Sequence, residues 1–459
     1  MPINYQMTWD PALNEDEQDS MLLSVSADNP RYFADQAGEI VFITGSHTWA
    51  NFHSRGADDP PPTFDWTQYL DYLETWGHNC VRLWCEWETP DYPPGPNHDL
   101  TFHHAGPWPW PRSGPGNAND GRPKFDVSQF DSNYFDRLRS RCIDARTRGI
   151  YVCVNIFNLY TLANYYGSTA GWPFASGNNI NSVAASPSDW WTEGSALTAY
   201  QDLLIEQYID AVGDLSNVLW QTHNEKGLDS TFLTWCEARF AKIRAYETAT
   251  GNPHHLIGMG SGNVGGFDDS STLLATGADF VCPALQVTSA GIKPIIHDSD
   301  HCLSYDDAKL PIWPFRALCR GAYAWLMDGW YEVREGQYTP TGTISGRVGT
   351  GLDPSFTIAR YALGDARGYA ERLNLKLCVP HGELSSTGLC IANPGAQYLA
   401  AQPGSGAFSL TTIAGTYDYE WWDPVNRTVN GSGSTTVSSG SNTFTPPFSG
   451  PAVLLLEVP

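Results

Sequence analysis

Short apolar runs that alternate with helical segments are the feature that most constrains how this chain can fold. Residues 80–84 and 218–220 have the length and apolar composition of buried strands, and residues 132–148 have the apolar spacing of a helix. Strands that alternate with helices are parallel, and about eight of them across about 330 residues predict a closed (β/α)8 barrel rather than an open doubly wound sheet. The predicted strands are residues 40–43, 80–84, 150–154, 218–220, 256–259, 280–284, 294–296 and 323–327.

The chain divides into two predicted domains. Residues 1–375 are predicted to form an α/β (β/α)8 TIM barrel, with an irregular lead-in over residues 1–38. Beyond them, short apolar runs are separated by Gly, Ser, Pro and Asn, which is typical of antiparallel strands. Residues 376–459 are therefore predicted to form a small all-β sandwich. We expect this sandwich to pack against the barrel as a support, and sugar binding is the alternative.

The composition favours a carbohydrate as the partner. The chain of 459 residues contains 18 Trp, 22 Tyr, 43 Gly and 32 Pro. Sugar rings stack on aromatic faces while polar side chains bind the hydroxyls, although aromatic residues also fill protein cores. The net charge of −24, with 26 Lys and Arg against 50 Asp and Glu, argues against nucleic acid, an anionic membrane or a strongly acidic polymer. No apolar run approaches the roughly 20 residues that span a bilayer.

No cofactor and no metal site is predicted. The ten cysteines include no CxxC pair, and no spacing of His and Cys suits zinc. His47 and His53 do not form the HxH motif of metal-dependent amidohydrolases on the same fold. Cys378 and Cys390 could pair, whereas other cysteines lie in apolar runs and are predicted to be buried. No signal peptide is predicted at the N-terminus, so the protein is expected to be cytoplasmic, or secreted if a signal was removed. The sequence leaves the oligomeric state open.

The stretch 217–225 carries the first candidate catalytic acid. Its apolar run ends in four polar residues, and the last of them is Glu225. Barrel enzymes place catalytic groups at the C-terminal ends of their strands. Glu225 is therefore a candidate proton donor, and the alternative is that it caps the helix that begins near residue 230.

A second acidic cluster lies at the end of the seventh predicted strand, where residues 293–301 read KPIIHDSDH. Because strand side chains alternate, Asp298 and Asp300 are predicted to share one face and His297 to lie on the other. Two carboxyl groups that face each other over a barrel suit glycosidic cleavage, because one protonates the leaving oxygen while the other attacks or activates water. The alternatives are that one aspartate caps a loop or binds a structural cation.

These motifs resemble the clan A glycoside hydrolases. The resemblance rests on VRLW at the second strand, NE at the end of the fourth and a KP-hydrophobic-acid strand at the seventh, and it covers residues 40–375. The text NPRYFADQAGEIVFITGSHTW around the first strand resembles a cellulase-like subgroup with a trailing β-domain. The resemblance implies a glycosidase that acts on a neutral oligo- or polysaccharide, usually with retention of configuration. It also implies that Glu225 is the acid/base, that Asn224 binds the sugar 2-hydroxyl and that Arg82 orients the nucleophile.

The chain departs from this family at the seventh strand, where the family usually has Glu. Asp298, or failing it Asp300, is the expected second carboxylate. Asp is shorter by one methylene, which retracts its carboxyl by about 1.5 Å. Retaining enzymes hold their two carboxyls about 5–5.5 Å apart and inverting ones about 6.5–9.5 Å, so an inverting mechanism is an alternative to retention.

The remaining candidate substrate-binding residues lie at predicted strand ends or in aromatic loops. We expect the strand-end side chains to line the mouth of the barrel and the loop tryptophans to serve as stacking platforms, with burial in the core as the alternative. His297 is predicted to be a sugar ligand or a hydrogen-bonded packing residue. The strand-end group is His47, Trp49, Trp87 and His223, and the loop group is Trp108, Trp110, Trp172 and Trp330.

Two other classes of function compete with the hydrolase. The missing strand-seven Glu also fits a non-catalytic carbohydrate-binding protein on a decayed glycosidase barrel. A barrel aldolase or isomerase would need a strand-end lysine or a phosphate loop, and Lys293 begins its strand rather than ending it. The distance from the carboxyl of Glu225 to those of Asp298 and Asp300 tests the pairing on which the hydrolase depends.

Overall fold

The computed structural model describes most of the chain from residue 21 onward. No described helix is long and apolar enough to cross a membrane. The described residues are 21–48, 51–56, 60, 63–85, 104–157, 159, 162, 171–224, 226–261, 270–304, 306–328, 331–333, 338–339, 342–343, 349–351 and 354–459.

Eight parallel strands form the centre of the structure. They are β1 (Thr44–His47), β2 (Cys80–Trp84), β3 (Tyr151–Phe157), β4 (Val218–His223), β5 (Ile257–Gly260), β6 (Phe280–Cys282), β7 (Ile296–Asp298) and β8 (Tyr323–Met327). One sheet has the order β6-β5-β4-β3-β2, and a second has the order β7-β8-β1. Neighbours in space are therefore neighbours in the sequence, as in a (β/α)8 barrel. The predicted α/β class with parallel strands is confirmed.

The two sheets meet on both sides without a continuous ladder between them. Val281 of β6 and Ile295, just before β7, form a single parallel bridge. On the other side, the amide of Asn79 donates to the carbonyl of Thr44 across 3.0 Å. A β-carbon on Gly45 would lie 1.7 Å from the carbonyl oxygen of Cys80, so β1 can approach β2 only with glycine there. The strand order of a barrel is present, but the hydrogen-bonded ring is not closed among the described residues.

Helices connect the strands and pack on the outside of the sheets. The helix Ser230–Thr250 begins after Asp229, whose carboxylate accepts from the amide of Phe232 across 2.9 Å, and it ends at Gly251 with a φ of 76°. Asp229 therefore caps this helix, and Glu225, the alternative cap, lies outside the described residues. The other helices are Trp66–Thr75, Ser132–Thr147, Pro187–Trp190, Thr198–Val212, Ser270–Leu274, Ser299–Cys302, Trp313–Cys319 and Thr357–Arg372, with single 3-10 turns at Asp307–Lys309, Pro354–Phe356 and Gly382–Leu384.

A three-stranded antiparallel ribbon covers the N-terminal end of the parallel strands, where the sequence predicts an irregular lead-in. Its strands are Ser24–Val25, Phe33–Ala34 and Ile40–Val41. The ring of Phe33 stacks on Tyr323 at the start of β8 with 4.9 Å between centroids, and the amide of Phe33 donates to the Tyr323 hydroxyl across 2.6 Å. The predicted first strand is corrected, because residues 40–41 pair with this ribbon and β1 begins only at Thr44.

The last part of the chain is antiparallel, as predicted. One sheet has the order Val379–Pro380, Cys390–Asn393, Gln397–Gln402, Ala452–Glu457, Gly415–Asp423 and Thr428–Val437, and a second pairs Phe408–Thr412 with Gly440–Phe444. Leu399 and Val453 belong to the same buried cluster as Phe315 of the helix Trp313–Cys319. Arg427 donates to Asp365 of the helix Thr357–Arg372 across 2.8 Å. These sheets therefore pack against the helices that flank β8.

The cysteines and three short antiparallel strand pairs complete the described structure. All ten cysteines are free thiols, so Cys378 and Cys390 do not pair. These pairs are Ser54–Gly56 with His104–Gly106, Tyr331–Val333 with Gly349–Gly351, and Tyr338–Thr339 with Gly342–Thr343.

Candidate active site

Asp298 ends β7 and lies at the centre of a buried group of polar side chains. Its Oδ2 accepts a hydrogen bond from the guanidinium of Arg82 on β2 across 3.1 Å. Nε2 of His47, the last residue of β1, lies 3.1 Å from Oδ1 and 3.0 Å from Oδ2. The exposed fraction of each of these three side chains is 1% or less. Strands β1, β2 and β7 therefore deliver their side chains to one buried carboxylate.

Arg82 is held on three sides. Its guanidinium carbon lies 4.3 Å from the centroid of the Trp84 ring. The side-chain amide of Asn155 on β3 is oriented so that its nitrogen donates to the carbonyl of Phe157. The side-chain oxygen of Asn155 then accepts a hydrogen bond from the second terminal nitrogen of Arg82 across 3.0 Å. A planar guanidinium can stack and donate along two edges at once. The orientation of Arg82 toward Asp298 is thus fixed by β2 and β3.

The surroundings of Asp298 favour its ionised form. Burial alone would raise the pKa of this carboxyl, but the contacts with His47, followed by the influence of His301 and Arg82, outweigh the burial. The pKa of Asp298 is therefore well below its usual value. An ionised carboxylate at a strand end is what attack on an anomeric carbon, or activation of a water, requires.

Asp300 does not share a strand face with Asp298, contrary to the prediction. β7 stops at Asp298, and Ser299–Cys302 forms a helical turn, so the alternation of a strand does not extend to Asp300. Asp298 caps this turn, because its Oδ1 accepts from the amide of Asp300 across 3.1 Å. The carboxylate of Asp300 lies 3.7 Å from Nε2 of His301. Of the two aspartates, Asp298 is the one that contacts Arg82.

His223, at the end of β4, connects two strands. Its Nε2 lies 2.8 Å from the carbonyl oxygen of Gly260 on β5, and its Nδ1 lies 3.1 Å from the Thr222 hydroxyl. Burial lowers the pKa of His223 to about 3, so the ring is neutral. Both ring nitrogens are engaged within the protein. His223 therefore bridges β4 and β5 rather than acting as the predicted substrate ligand.

Asn224 differs from His223 because its side-chain nitrogen has no partner within the part of the chain that the structure describes. Its Oδ1 accepts from the amide of Leu159 across 3.3 Å, while its Nδ2 is buried with no hydrogen-bond partner among the described residues. A buried donor without a partner costs about 1–3 kcal/mol, which points to a ligand or a water at this position. The next residue, Glu225, lies outside the described residues, as do the candidates Trp49, Trp87 and Trp330.

His297 and the loop tryptophans are packing residues. His297 is fully buried, with Nε2 3.0 Å from the carbonyl oxygen of Val287, and burial lowers its pKa to about 3. It precedes the inward-facing Asp298, so it faces away from the site. The predicted stacking role of the three described tryptophans is wrong, because each ring is buried and packs edge-on against an aromatic neighbour. These tryptophans are Trp108 against Phe125, and Trp110 and Trp172 against Phe174.

Three further side chains belong to this site and were not singled out from the sequence. Trp84 and Asn155 contact Arg82, and His301 lies within electrostatic range of Asp298. The period of a strand could have indicated Trp84, because it is two residues beyond Arg82 and so faces the same way. Among the described residues, no three His, Cys, Asp or Glu side chains are grouped so as to hold a metal ion.

Comparison with solved structures identifies the fold. A structure described as a glycoside hydrolase matches over 95% of this chain and 97% of its own, with a TM-score of 0.60 and 11% sequence identity. A family 5 glycoside hydrolase from Bacteroides vulgatus matches over 95% of this chain and 92% of its own, with a TM-score of 0.61 and 13% identity. The chain has the fold of a family 5 glycoside hydrolase.

The glycoside hydrolase fold confirms, at the level of architecture, the resemblance predicted from the sequence. No protein-family model matches the chain, and no curated protein does either. Identities of 11% and 13% do not transfer residue roles from the matched structures. The assignment of site residues in this glycoside hydrolase fold therefore depends on the geometry around Asp298.

Proposed function

We propose that this protein is a glycoside hydrolase that cleaves O-glycosidic bonds of a neutral oligo- or polysaccharide. The observation that carries the proposal is the buried carboxylate of Asp298, which Arg82 and His47 hold at the C-terminal ends of parallel strands. Barrel enzymes carry their catalytic groups at this end of the strands. The net charge of −24 disfavours an acidic polysaccharide as the substrate.

In the proposed mechanism, two carboxyl groups act on opposite sides of the scissile bond. Glu225 protonates the leaving oxygen, while Asp298 attacks the anomeric carbon or activates a water. The Nδ2 of Asn224, which has no hydrogen-bond partner within the described part of the chain, is available to the sugar 2-hydroxyl. The finer architecture belongs to the same proposal, with a closed (β/α)8 barrel over residues 1–375 and a supporting β-sandwich over residues 376–459.

The stereochemical outcome depends on how far Asp298 stands from the anomeric carbon. An aspartate reaches about 1.5 Å less far than the glutamate usual in this position. A direct attack gives retention, and a water between Asp298 and the sugar gives inversion. We favour retention, and proton NMR of the first-formed anomer distinguishes the two outcomes.

One observation favours a second candidate function, a non-catalytic carbohydrate-binding protein. Asp298 is fully buried, and both of its oxygens already accept hydrogen bonds, Oδ1 from the amide of Asp300 and Oδ2 from Arg82. In this second candidate, the carboxylate holds the ends of β1, β2 and β7 in place and takes no part in a reaction. This candidate predicts sugar affinity without turnover.

Three matched variants test the proposal. Glu225→Gln and Asp298→Asn should each lower kcat/KM on aryl glycosides and neutral oligosaccharides by at least about 100-fold, because each removes a group that acts in the transition state. Asp300→Asn, in which the same change is made two residues away, should stay within about threefold of the wild type. If the wild type binds sugars in calorimetry but hydrolyses none of a broad panel, the binding function replaces the hydrolase. If Asp300→Asn loses activity and Asp298→Asn keeps it, Asp298 is not the second carboxylate.

A further inference from the structure

Trp84 and Asp298 contact the two ring nitrogens of His47. Nε1 of Trp84 lies 3.1 Å from Nδ1 of His47, and Nε2 of His47 lies 3.0 Å from Oδ2 of Asp298. An indole N–H can donate a hydrogen bond but cannot accept one. Nδ1 of His47 must therefore be the acceptor, with a free lone pair and no proton. The single proton of the neutral ring then lies on Nε2, from which it is donated to Asp298.

We propose that Trp84 fixes His47 as the neutral Nε2–H tautomer and thereby makes His47 a positioning residue that acts through Asp298. A second proton on the ring would have to bind at Nδ1, and the indole hydrogen already occupies that position. The tautomer is a property of the folded chain, and only its catalytic consequence depends on the proposed hydrolase function.

The carboxylate of Asp298 attracts a positive charge on His47, and the other groups packed around the ring offset this attraction. Asp298 faces it from β7 and Arg82 faces the same carboxylate from β2, so the negative charge of Asp298 already has a cationic partner. The backbone carbonyl of His47 accepts from the amide of Asp328 across 2.7 Å. The Asp328 carboxylate is itself paired with Arg360 across 2.8 Å and so does not call for a charge on His47.

Two more elements approach this end of β1. The Tyr69 hydroxyl, on the helix Trp66–Thr75, donates to the carbonyl of Ser46 across 3.0 Å and brings no charge to the ring. His301, on the turn after β7, is the other histidine that lowers the pKa of Asp298. The ring of His47 is thus held by one donor at Nδ1 and one acceptor at Nε2.

A neutral His47 also suits the reaction proposed for Asp298. In a retaining step, an oxygen of Asp298 forms a bond to the anomeric carbon, the bond from that carbon to the leaving oxygen breaks, and Glu225 supplies the proton to the leaving group. Asp298 loses its negative charge in this step. A cationic His47 would then remain beside Arg82 without a counter-charge in a buried site, which is unfavourable. A neutral N–H donor orients the carboxylate without that penalty.

The tautomer can be measured directly on the wild-type protein. We would record two-bond 1H–15N spectra of 15N-histidine-labelled protein between pH 5 and 9 and assign His47 with the His47→Gln variant. The expected result is a protonated Nε2 and an unprotonated Nδ1 throughout this range. A ring that carries protons on both nitrogens, or on Nδ1 alone, would overturn the proposal. This reading needs no turnover, so it stays valid if the protein proves not to be a hydrolase.

Trp84→Phe supplies the functional test, because it removes the donor and keeps a ring. Nδ1 of His47 then becomes free to take up a proton, and the ring should titrate between about pH 5 and 8. The kcat/KM of this variant should fall about tenfold per pH unit below that ionisation, an inflection that the wild type lacks.

Trp313→Phe is the matched control, because its indole donates to the carbonyl of Ala308 across 3.0 Å on a helix outside the site. It should leave both the His47 spectrum and the pH profile unchanged. If folded Trp84→Phe shows the wild-type His47 spectrum, Trp84 does not set the tautomer. If that variant does not fold, the wild-type spectrum alone decides the proposal.

Discussion

Arg82 and Asp298 are 216 residues apart in the sequence, and a guanidinium nitrogen of one lies 3.1 Å from a carboxylate oxygen of the other. Both side chains are fully buried. Their contact spans the mouth of the parallel strands from β2 to β7, so it depends on the arrangement of both sheets. A buried ion pair is also a sensitive probe, because removing one partner leaves the other charge without compensation.

Arg82→Lys tests how far the shape of this cation matters. Lysine keeps the charge, but it cannot donate to Asp298 and Asn155 in one plane while it stacks on Trp84. We expect kcat/KM to fall by about 100-fold and the free energy of unfolding to fall by about 1–3 kcal/mol. Steady-state kinetics and denaturant unfolding measure the two effects.

The control for this substitution is Arg148→Lys at a partly exposed site. Arg148 pairs with Asp71 and Glu74, whose side chains are 60% and 33% exposed. Solvent screens such pairs, so this variant should stay within about 0.5 kcal/mol of the wild type. Equal losses in the two lysine variants would show that the planar contacts of Arg82 are unimportant.

The lowered pKa of Asp298 predicts a specific dependence of stability on pH. In the unfolded chain this carboxyl takes up a proton near pH 3.9, as an ordinary aspartate does. In the folded protein its pKa is lower, so just below neutral pH both states are ionised, and near pH 4 only the unfolded state gains the proton. The stabilisation by ionised Asp298 is therefore complete above about pH 5 and is lost as the pH falls through the folded pKa.

Asp298→Asn isolates this contribution. Because Arg82 loses its counter-charge, we expect the variant to be less stable than the wild type by about 3 kcal/mol near pH 7. The difference between the two proteins should stay constant above about pH 5 and shrink below about pH 4. Denaturant unfolding at a series of pH values measures it. A difference that grows toward acid pH would show that Asp298 is protonated in the folded state.

The sequence predicted the part of this site that depends on periodicity. The alternation of strands and helices indicated that Asp298 would lie at the mouth of the parallel strands, because such strands present their C-terminal ends at one edge. The role of Arg82 as its partner came from the family resemblance. The sequence did not predict that β7 ends at Asp298, since HDSDH is compatible with both a strand and a helical turn. The contact between Trp84 on β2 and His47 on β1 depends on how these two side chains are turned toward each other. The order of residues along the chain does not show this.

The tryptophans show where composition is ambiguous. An aromatic loop provides stacking surfaces if its rings face solvent and a local core if they face each other. The same sequence is compatible with either arrangement. Trp110 packs at 4.9 Å from Phe174, and 1% of it is exposed. We therefore expect Trp110→Ala to lower the free energy of unfolding by about 3–5 kcal/mol and Trp110→Phe by much less. If Trp110→Phe instead raises KM for oligosaccharides without loss of stability, the ring contacts substrate.

The approach of β1 to β2 at Gly45 gives the last prediction. Alanine at this position would place its β-carbon 1.7 Å from the carbonyl oxygen of Cys80, and backbone atoms cannot yield as a side chain can. β1 would have to move, and His47, two residues along the same strand, would move with it. We expect Gly45→Ala to lose more than about 4 kcal/mol in denaturant unfolding or to fail to fold.

Gly404→Ala is the control, because its nearest neighbour would be the side chain of Gln402 at an ordinary 3.7 Å, and its stability should change by less than about 0.5 kcal/mol. A Gly45→Ala variant with the unfolding midpoint of the wild type would mean that β1 and β2 are further apart than described. The contact between His47 and Asp298 would then be in doubt as well.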